Sequence, residues 1–258
     1  GTGSPILLIH DTLPGASGYE WNKIEDELAI DHTVYTVDLL GCGRSDKSSI
    51  TYTNFVYVQM ISDFIKKIIG QKTDVITSGF SGSFVTMACH NEKELFNKIM
   101  LVNPPSLTQL KQMPNRKDRL LKAALEIPIF GTLVYHMIVS RDNINNLFIE
   151  KMYYNPFHVD NQMSDAYYEA AHKGGYYTRF LYSSLAAKYI NINICHALKA
   201  LDNSIYIVEG ETEPNGKAVT DDYCASNPAI EVSVLKETKH LPHVEAPEAF
   251  LEQVKIFF

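Results

Sequence analysis

The sequence predicts an α/β fold with a doubly wound, mostly parallel sheet and a helical insertion after the fourth strand. Six short runs rich in Ile, Val, Leu and Tyr recur along the 258 residues, and helical patterns separate most of them. Nearly continuous apolar runs are typical of strands that are buried on both faces of a parallel sheet. Strands that alternate with helices imply right-handed crossovers and a doubly wound arrangement.

The six predicted strands are each bounded by turn residues. They are Pro5–His10, Thr33–Leu39, Asp74–Phe80, Lys98–Asn103, Ser204–Glu209 and Glu231–Leu235. A predicted helix over Thr53–Ile69 carries an apolar stripe and stops at Gly70. A second one, over Ser83–His90, directly follows the third strand. The last helix begins with Pro247 near its first turn, where proline is favoured.

The stretch between the fourth and fifth strands contains helical patterns and no convincing strand. The patterns cover Arg119–Ile127, Ile129–Val139, Ile144–Tyr153, Met163–His172 and Tyr177–Tyr189. An excursion of that length is usually functional, and ligands bind at the carboxyl edge of open α/β sheets. We therefore predict a core formed by residues 1–104 and 202–258, with residues 105–201 as a helical lid over that edge.

The composition argues against several classes of protein. Hydrophobic residues make up 45% of the chain and charged residues 21%, which is typical of a soluble globular protein. The formal net charge is −7 and no basic block is present, so we expect no nucleic-acid partner. No segment reaches the roughly 18 apolar residues that span a bilayer, so we expect no stable membrane insertion. No signal peptide is visible, but both chain ends look trimmed, which leaves a removed leader as an alternative.

The cysteines give an expectation about the compartment. Cys42, Cys89, Cys195 and Cys224 are far apart and form no CxxC pair. In a chain of this size, that spacing favours free thiols in a reducing compartment, the cytoplasm, over a disulfide framework or a zinc site. The sequence does not indicate an oligomeric state.

The third predicted strand leads into a glycine- and serine-rich turn, Gly79-Phe80-Ser81-Gly82-Ser83. A serine at such a turn presents its hydroxyl above the sheet, and the helix that follows places N–H groups where an oxyanion would form. The segment resembles the G-x-S-x-G nucleophile elbow of the α/β-hydrolase superfamily, with Ser83 in place of the second glycine. The resemblance implies Ser81 as the nucleophile; the alternative is a turn without a catalytic role.

The segment before the last helix resembles the one that carries the catalytic histidine in the same superfamily. It runs Thr238-Lys239-His240-Leu241-Pro242-His243-Val244-Glu245-Ala246-Pro247. The match implies His240 as the general base. His243 lies within the same segment and is the competing candidate.

The end of the fifth predicted strand resembles the turn that presents the acid of the triad. Glu213 takes the acid position there, whereas Glu209 and Glu211 are less well placed. The order of Ser81, Glu213 and His240 along the chain is also the order that this fold uses.

The loop after the first strand, His10-Asp11-Thr12, resembles the H-G-x loop that supplies an oxyanion donor. The resemblance implies the backbone N–H groups of Thr12 and Gly82 as the oxyanion hole. Asp11 replaces the usual glycine, and a carboxylate facing the site would oppose a developing oxyanion, so we expect it to point away. Hydroxynitrile lyases of the superfamily carry a threonine in this loop, so Thr12 could also offer its hydroxyl to a substrate.

The predicted lid is rich in Tyr and Leu, which suggests a small hydrophobic ester, thioester or lactone as the substrate. Candidates for the pocket wall are Asp11, Phe80, Phe130, Leu133, Tyr135, His136, Tyr153, Tyr154, Tyr176 and Tyr177. Aromatic residues at helical spacing belong more often to the interior of a lid than to a pocket wall. No metal or organic cofactor is implied.

Three functions stay open at this point. The first is a serine hydrolase that forms an acyl-enzyme. The second is a lyase or another carbon–carbon-bond enzyme that uses the same triad. The third is a binding or signalling protein that keeps the fold without catalysis, since a fold does not determine a function.

Overall fold

A computed structural model describes residues 1–159 and 161–258 of the chain. In this part of the chain, six strands form one sheet. They are β1 (Ser4–Ile9), β2 (His32–Val37), β3 (Thr73–Ser78), β4 (Phe96–Val102), β5 (Ile205–Gly210) and β6 (Glu231–Leu235). Each end lies within two residues of its predicted position.

The sheet is parallel at every strand pair, and its order is β2-β1-β3-β4-β5-β6. The predicted fold class is therefore confirmed. The chain places β2 on one side of β1 and then returns to place β3 on the other side. Loops diverge where the strand order reverses in this way, and the crevice between them is where ligands bind in such sheets. This topology brings together the loop after β1 and the turn after β3.

Helices pack around the sheet and form most of the remaining structure. The α-helices of the described residues are α1 (Glu25–Asp31), α2 (Asn54–Phe64), α3 (Ser81–Asn91), α4 (Leu107–Leu110), α5 (Arg116–Glu126), α6 (Pro128–Ile138), α7 (Arg141–Leu147), α8 (Asn161–His172), α9 (Arg179–Ala186), α10 (Cys195–Ala200), α11 (Gly216–Ser226), α12 (Pro242–Glu245) and α13 (Pro247–Phe257). Short 3₁₀ segments cover Gly18–Trp21, Lys93–Leu95, Pro156–His158 and Gly175–Thr178, and π-helical turns extend α2 over Ile65–Ile69 and α7 over Phe148–Met152.

The segment between β4 and β5 contains α4 to α10 and, in its described residues, no strand. The predicted helical patterns of this segment are therefore present. Its treatment as a separate lid, residues 105–201, stays a prediction. Asp160 lies inside that range and outside the described residues.

The two faces of the sheet bury two different apolar clusters, which explains the continuous apolar strands. Leu7 and Ile9 pack in one cluster with residues of α2 and α3, whereas Ile6 and Leu8 pack in the other with Trp21 and residues of α13. Successive side chains of a strand point to opposite faces, so a strand covered on both sides needs an apolar residue at every position.

The turn after β3 differs from its predicted form. β3 ends at Ser78, two residues earlier than expected, because Gly79 adopts a left-handed conformation with φ 51°. Glycine takes this conformation without the steric penalty that a Cβ atom brings. The chain therefore reverses within a short turn, and α3 begins at Ser81 instead of the predicted Ser83.

No single helix in residues 1–159 or 161–258 is both long and apolar enough to cross a membrane; α5 and α6 meet that criterion only as a pair, across a bend of 95°.

All four cysteines are free thiols. Burial raises the pKa of Cys42 and of Cys89. Neither of these two thiols is therefore ionised near neutral pH, which argues against a nucleophilic role for them.

Candidate active site

The loop after β1 is buried and closely hydrogen-bonded. The Nε2 atom of His10 accepts the backbone N–H of Leu39 at 3.0 Å, and its Nδ1 atom donates to the carbonyl oxygen of Asp11 at 2.6 Å. The carboxylate of Glu20 accepts the backbone N–H of Asp11 at 3.3 Å. These contacts fix the backbone of the loop and with it the direction of the Asp11 side chain.

Glu20, whose carboxylate binds the backbone of this loop, is fully buried. It accepts a hydrogen bond from the Ser78 hydroxyl, and its Oε1 atom lies 3.2 Å from Nε2 of His243. Burial by itself would raise the pKa of Glu20, but the hydrogen bonds of His243 and Ser78 and the charge of His243 lower it. His243, the competing candidate for the base, thus contacts Glu20 and stacks on Trp21.

The Asp11 carboxylate occupies the position that faces the turn after β3. Its Oδ1 atom accepts the backbone N–H of Thr12 at 2.6 Å and the backbone N–H of Phe80 at 2.7 Å. A Cβ atom added at Gly79 would overlap this carboxylate. Asp11 therefore fills the space that a side chain at position 79 would take. The expectation that Asp11 points away from the site is wrong.

His240 lies beside the same carboxylate. Its Nε2 atom is 3.4 Å from Oδ2 of Asp11, and its Nδ1 atom is 3.2 Å from Oε1 of Glu213. The side chain of His240 is 18% exposed, so the imidazole is held at a surface that a small molecule can reach. The three groups form a continuous line of Asp11, His240 and Glu213.

This arrangement changes the protonation of the imidazole. Burial by itself lowers the pKa of His240, but the hydrogen bonds and charges of Asp11 and Glu213 together raise it to about 10. At neutral pH the resting imidazole is therefore a cation that can donate from both nitrogen atoms. It becomes a base only when one of the two carboxylates loses its charge.

Ser81 is placed differently from its prediction. It is fully buried, its hydroxyl donates to the carbonyl oxygen of His10 at 2.7 Å, and its Oγ atom lies 2.7 Å from Oγ1 of Thr12. Both partners belong to the β1 loop, so the hydroxyl faces that loop instead of His240. The geometry contradicts the prediction that Ser81 is the nucleophile, because Ser81 lies in the first turn of α3, beyond the strained turn residue.

One of the two predicted oxyanion donors also shifts by two residues. A nucleophile elbow carries its reactive residue at the strained strand-to-helix turn, and the next residue donates an N–H group to the oxyanion. Here the turn residue is Gly79 and the next residue is Phe80, whose N–H points at Asp11. The N–H of Gly82 instead donates to the carbonyl oxygen of Gly79 at 3.2 Å, so its predicted role is contradicted. Thr12 does direct its N–H toward the same point as Phe80.

Among the glutamates that follow β5, Glu213 is the one that reaches His240. Glu211 instead accepts the backbone N–H of Glu237 at 3.0 Å. Glu209 lies at the end of β5, and burial raises its pKa. The candidate acid predicted from the sequence is therefore the residue that the turn directs at the imidazole.

Two residues that the sequence did not single out for these roles hold the His240 loop. The side-chain amide of Asn103 donates to the carbonyl oxygens of Lys239 and His240, at 2.8 and 2.9 Å, and its oxygen accepts the N–H of Gly210. Glu245 accepts the backbone N–H of Lys239 at 2.7 Å. Asn103 follows β4 directly, at the sheet edge where the site forms, and this position is the signal that could have identified it.

A cavity of about 700 Å³ opens beside these groups. Its wall includes the predicted site residues Asp11, Thr12, Phe80, Glu213 and His240. The helical segment between β4 and β5 contributes Ser106, Gln109, Gln112, Leu147, Lys151, Met152, Leu185, Lys188, Ile190 and Asn191. The cavity thus lies between the carboxyl ends of the strands and this helical segment.

The prediction that residues of the helical segment, most of them aromatic, line this cavity is wrong. The residues concerned are Phe130, Leu133, Tyr135, His136, Tyr153, Tyr154, Tyr176 and Tyr177, and the cavity wall contains none of them among its described residues. Tyr135 packs inside the helical segment, while Phe130 and Leu133 of the same helix face solvent. Tyr153 and Tyr154 line a separate surface depression. Helical periodicity identified an apolar face but not the surface that it contacts.

In residues 1–159 and 161–258, no group of three or more His, Cys, Asp or Glu side chains is arranged to hold a metal ion. The polar groups of the site are instead two carboxylates, one imidazole and two backbone N–H groups. Such a set can transfer protons, stabilise negative charge on Oδ1 of Asp11 and, through a carboxylate oxygen, attack an electrophile.

The raised pKa of His240 predicts a pH-dependent stability. Below pH 6.5 the imidazole is protonated in both the folded and the unfolded chain, and its contribution to folding is complete. As the pH rises toward 10 the contribution is lost, because the unfolded chain releases this proton first. We expect the free energy of unfolding to fall by up to about 5 kcal/mol from this source.

Urea unfolding of the wild-type chain and of His240→Gln between pH 6 and pH 10 measures this effect as the difference between the two curves. The free energies of unfolding of the two chains should become more similar as the pH rises. Parallel curves over that range would contradict the assignment.

Comparison with known proteins agrees with this fold. A model described as "Alpha/beta hydrolase family" matches residues 6–253. The 2-hydroxy-6-oxo-6-(2'-aminophenyl)hexa-2,4-dienoic acid hydrolase of Metapseudomonas resinovorans is 29% identical over 109 residues, covering 42% of this chain and 38% of that protein. An uncharacterized protein of Mycobacterium tuberculosis is 28% identical over 109 residues, covering 42% and 31%. The match thus spans about a third of the length of these relatives.

Solved structures match over nearly the whole chain. The serine hydrolase CarC, involved in carbazole degradation, has a TM-score of 0.79 at 18% identity and covers 100% of this chain and 91% of its own. The 2-hydroxy-6-oxo-6-phenylhexa-2,4-dienoate hydrolase of Rhodococcus sp. strain RHA1 has a TM-score of 0.78 at 18% identity, with coverages of 99% and 90%. The epoxide hydrolase CorEH has a TM-score of 0.78 at 16% identity, with coverages of 100% and 92%. These similarities concern the fold, and the match to the family model over residues 6–253 shows that the chain belongs to the alpha/beta hydrolase family.

Proposed function

We propose that the chain is a hydrolase of small molecules that bind in the 700 Å³ cavity, with His240 and Glu213 as the proton-transfer pair. Beside this pair, the N–H groups of Thr12 and Phe80 converge on Oδ1 of the Asp11 carboxylate. One observation carries the proposal: the imidazole, held by Glu213, faces the point on which these two N–H groups converge. Backbone donors aimed at a developing negative charge are among the largest contributions to catalysis of this kind.

The cavity wall supports a small, largely apolar substrate. Leu13, Phe80, Met152, Leu185 and Ile190 supply apolar surface, and polar side chains interrupt it at a few points. This combination is typical of sites that bind small molecules, where a few polar groups determine the orientation of the ligand. The hydrolases among the similar proteins support a hydrolytic reaction in this cavity.

The alternatives from the sequence depend on Ser81 and Thr12. Ester cleavage through an acyl-enzyme needs the Ser81 hydroxyl to leave the β1 loop and enter the cavity, and its two hydrogen bonds argue against that movement. A lyase reaction that uses the Thr12 hydroxyl meets the same objection, because Thr12 is fully buried against Ser81. We therefore base the proposal on His240 and not on either hydroxyl.

The test is an assay of the purified chain against p-nitrophenyl esters, cyanohydrins, epoxides and haloalkanes. On any substrate that is turned over, His240→Gln should lower kcat/KM on the order of 10³-fold. Glu213→Gln should lower it by a smaller factor, because it acts by orienting the imidazole. Glu211→Gln is the matched control in the same turn and should leave the rate near that of the wild type.

Ser81→Ala and a fluorophosphonate probe separate this proposal from the serine hydrolase. We expect neither labelling of Ser81 nor a large loss of activity in Ser81→Ala. Labelling of Ser81 together with loss of activity in that variant would restore the acyl-enzyme mechanism. An absence of turnover across the whole panel would instead support the non-catalytic binding protein.

A further inference from the structure

The Asp11 carboxylate has the position and surroundings of a covalent nucleophile. We infer that it attacks a saturated carbon of the substrate and forms an ester, which water and His240 then hydrolyse. The substrates of this reaction carry an anionic leaving group on that carbon, as an alkyl halide or an epoxide does. The inference rests on the proposed hydrolase function of the same cavity and names its nucleophile and its substrate class.

The two oxygen atoms of Asp11 have different surroundings. Oδ1 is held by the N–H groups of Thr12 and Phe80, at 2.6 and 2.7 Å. Oδ2 lies 3.4 Å from Nε2 of His240, at the wall of the cavity. Oδ2 is therefore the oxygen that can meet a molecule bound there, and the contacts of Oδ1 hold the carboxylate in one orientation. Such orientation lowers the entropic part of the barrier to attack.

The turn after β3 shows that the carboxylate takes the place of a nucleophile from another element. Gly79 stands at the strained turn position where members of this fold carry their reactive side chain. A Cβ atom at Gly79 would overlap the Asp11 carboxylate, so the two side chains exclude each other. In this chain the reactive group thus comes from the β1 loop, and the usual donors still surround it.

In the first step a lone pair of Oδ2 forms a bond to the saturated carbon. The bond from that carbon to its leaving group breaks, and the electron pair departs with a halide or remains on the oxygen of an opened epoxide. Asp11 becomes a neutral ester. The proton that His240 carries at rest is released, to solvent in the case of a halide or to the new alkoxide in the case of an epoxide.

In the second step a water molecule gives a proton to His240 and attacks Cγ of Asp11. The negative charge of the tetrahedral intermediate develops on Oδ1, which already accepts two N–H groups. Collapse breaks the bond between Cγ and the alkyl oxygen, and His240 returns its proton to that oxygen to give an alcohol. The carboxyl proton passes back to His240, so the resting ion pair is restored with one oxygen from water in Asp11.

The protonation of His240 agrees with this order of events. In the resting site the charges of Asp11 and Glu213 keep the imidazole protonated. Esterification removes the charge of Asp11 and leaves only Glu213, so the pKa of His240 falls toward the range of a base. The imidazole therefore becomes able to activate water at the stage when the ester is present.

A purely structural carboxylate would make the same contacts in the resting protein. The two roles differ in their chemistry, because only a nucleophile exchanges an oxygen atom with the solvent. The experiment uses 1-bromohexane, 1,2-epoxyhexane and p-nitrophenyl butyrate in water enriched in the heavy oxygen isotope. Digestion and mass spectrometry then determine whether the peptide that contains Asp11 has gained heavy oxygen.

We expect heavy oxygen in that peptide after turnover of the bromide or the epoxide, and an alkyl adduct on Asp11 in His240→Gln. Asp11→Asn should lower turnover on the order of 10³-fold and form no adduct. Glu211→Gln, which also loses a carboxylate, should incorporate the isotope as the wild type does.

His240-dependent turnover of the bromide or the epoxide that leaves Asp11 unlabelled, or turnover of the butyrate ester alone, would overturn the inference and leave the proposed hydrolase standing. If none of the three is turned over and no adduct forms, the inference is wrong; if the rest of the substrate panel is also not turned over, the proposed function is wrong as well.

Discussion

A chain that carries both Asp11→Gly and Gly79→Ser is expected to react with a fluorophosphonate at position 79 and to hydrolyse p-nitrophenyl esters. Its esterase rate should exceed that of the parent chain by on the order of 10³-fold. Removing the carboxylate frees the N–H groups of Thr12 and Phe80, and the second substitution adds a hydroxyl at the strained turn. Removing one of the two carboxylate partners of His240 lowers the pKa of the imidazole, so that it is available as a base closer to neutral pH.

The two single variants are the controls for this gain of activity. Gly79→Ser alone places its side chain where the Asp11 carboxylate lies, so it should neither label nor hydrolyse esters. Asp11→Gly alone opens the anion-binding site but supplies no hydroxyl to attack. Equal esterase activity in either single variant and the double variant would show that position 79 is not the reactive turn position.

Gly79→Ala is expected to destabilise the protein by about 3 kcal/mol or more, since a Cβ atom there combines backbone strain with overlap. The overlap is with the buried Asp11 carboxylate, and the strain comes from φ 51°. In an Asp11→Gly background only the strain remains, and the penalty should fall to about 1–2 kcal/mol. Urea unfolding of the four chains of this cycle measures the interaction between the two positions.

Gly70→Ala is the matched control for strain without overlap. Gly70 also has a positive φ, of 74°, but a Cβ atom there meets no other atom within 4 Å. Its substitution should destabilise by about 1–2 kcal/mol, and Asp11→Gly should leave that value unchanged. A Gly79→Ala penalty that is no larger than the Gly70→Ala penalty would contradict the close packing of Asp11 against the turn.

Local sequence patterns were sufficient for the strands and most helices. Burial on both faces of the sheet leaves a continuous apolar signal in the four central strands, whereas the edge strands β2 and β6 are partly exposed. They also indicated His240 and Glu213, since each follows a strand at the carboxyl edge within a segment that resembles the family. Asn103 follows β4 at the same edge, and the pattern did not reveal its role. An amide that binds backbone oxygens of a distant loop has no characteristic spacing along the chain.

The cavity wall was predicted less well than the strands. The expected aromatic residues of α6 and its neighbours pack within the helical segment or face solvent, while Met152, Leu185 and Ile190 reach the cavity. A helical stripe indicates that one face is buried. Which surface buries it depends on how helices pack on each other, and that is set by contacts between residues far apart in sequence.

The sequence by itself determined the order of strands and helices, the membership of residues in a parallel sheet and the two side chains, His240 and Glu213, that meet at its carboxyl edge. Only the tertiary structure decided which group stands opposite that imidazole. The turn after β3 contains Gly79 and Ser81, two residues apart. A sequence motif does not specify backbone angles, and the positive φ of Gly79 is what makes this glycine the turn residue. The same holds for Asp11: whether its carboxylate faces the site depends on donors from two separate segments, Thr12 and Phe80, which meet only when β1 and β3 pair.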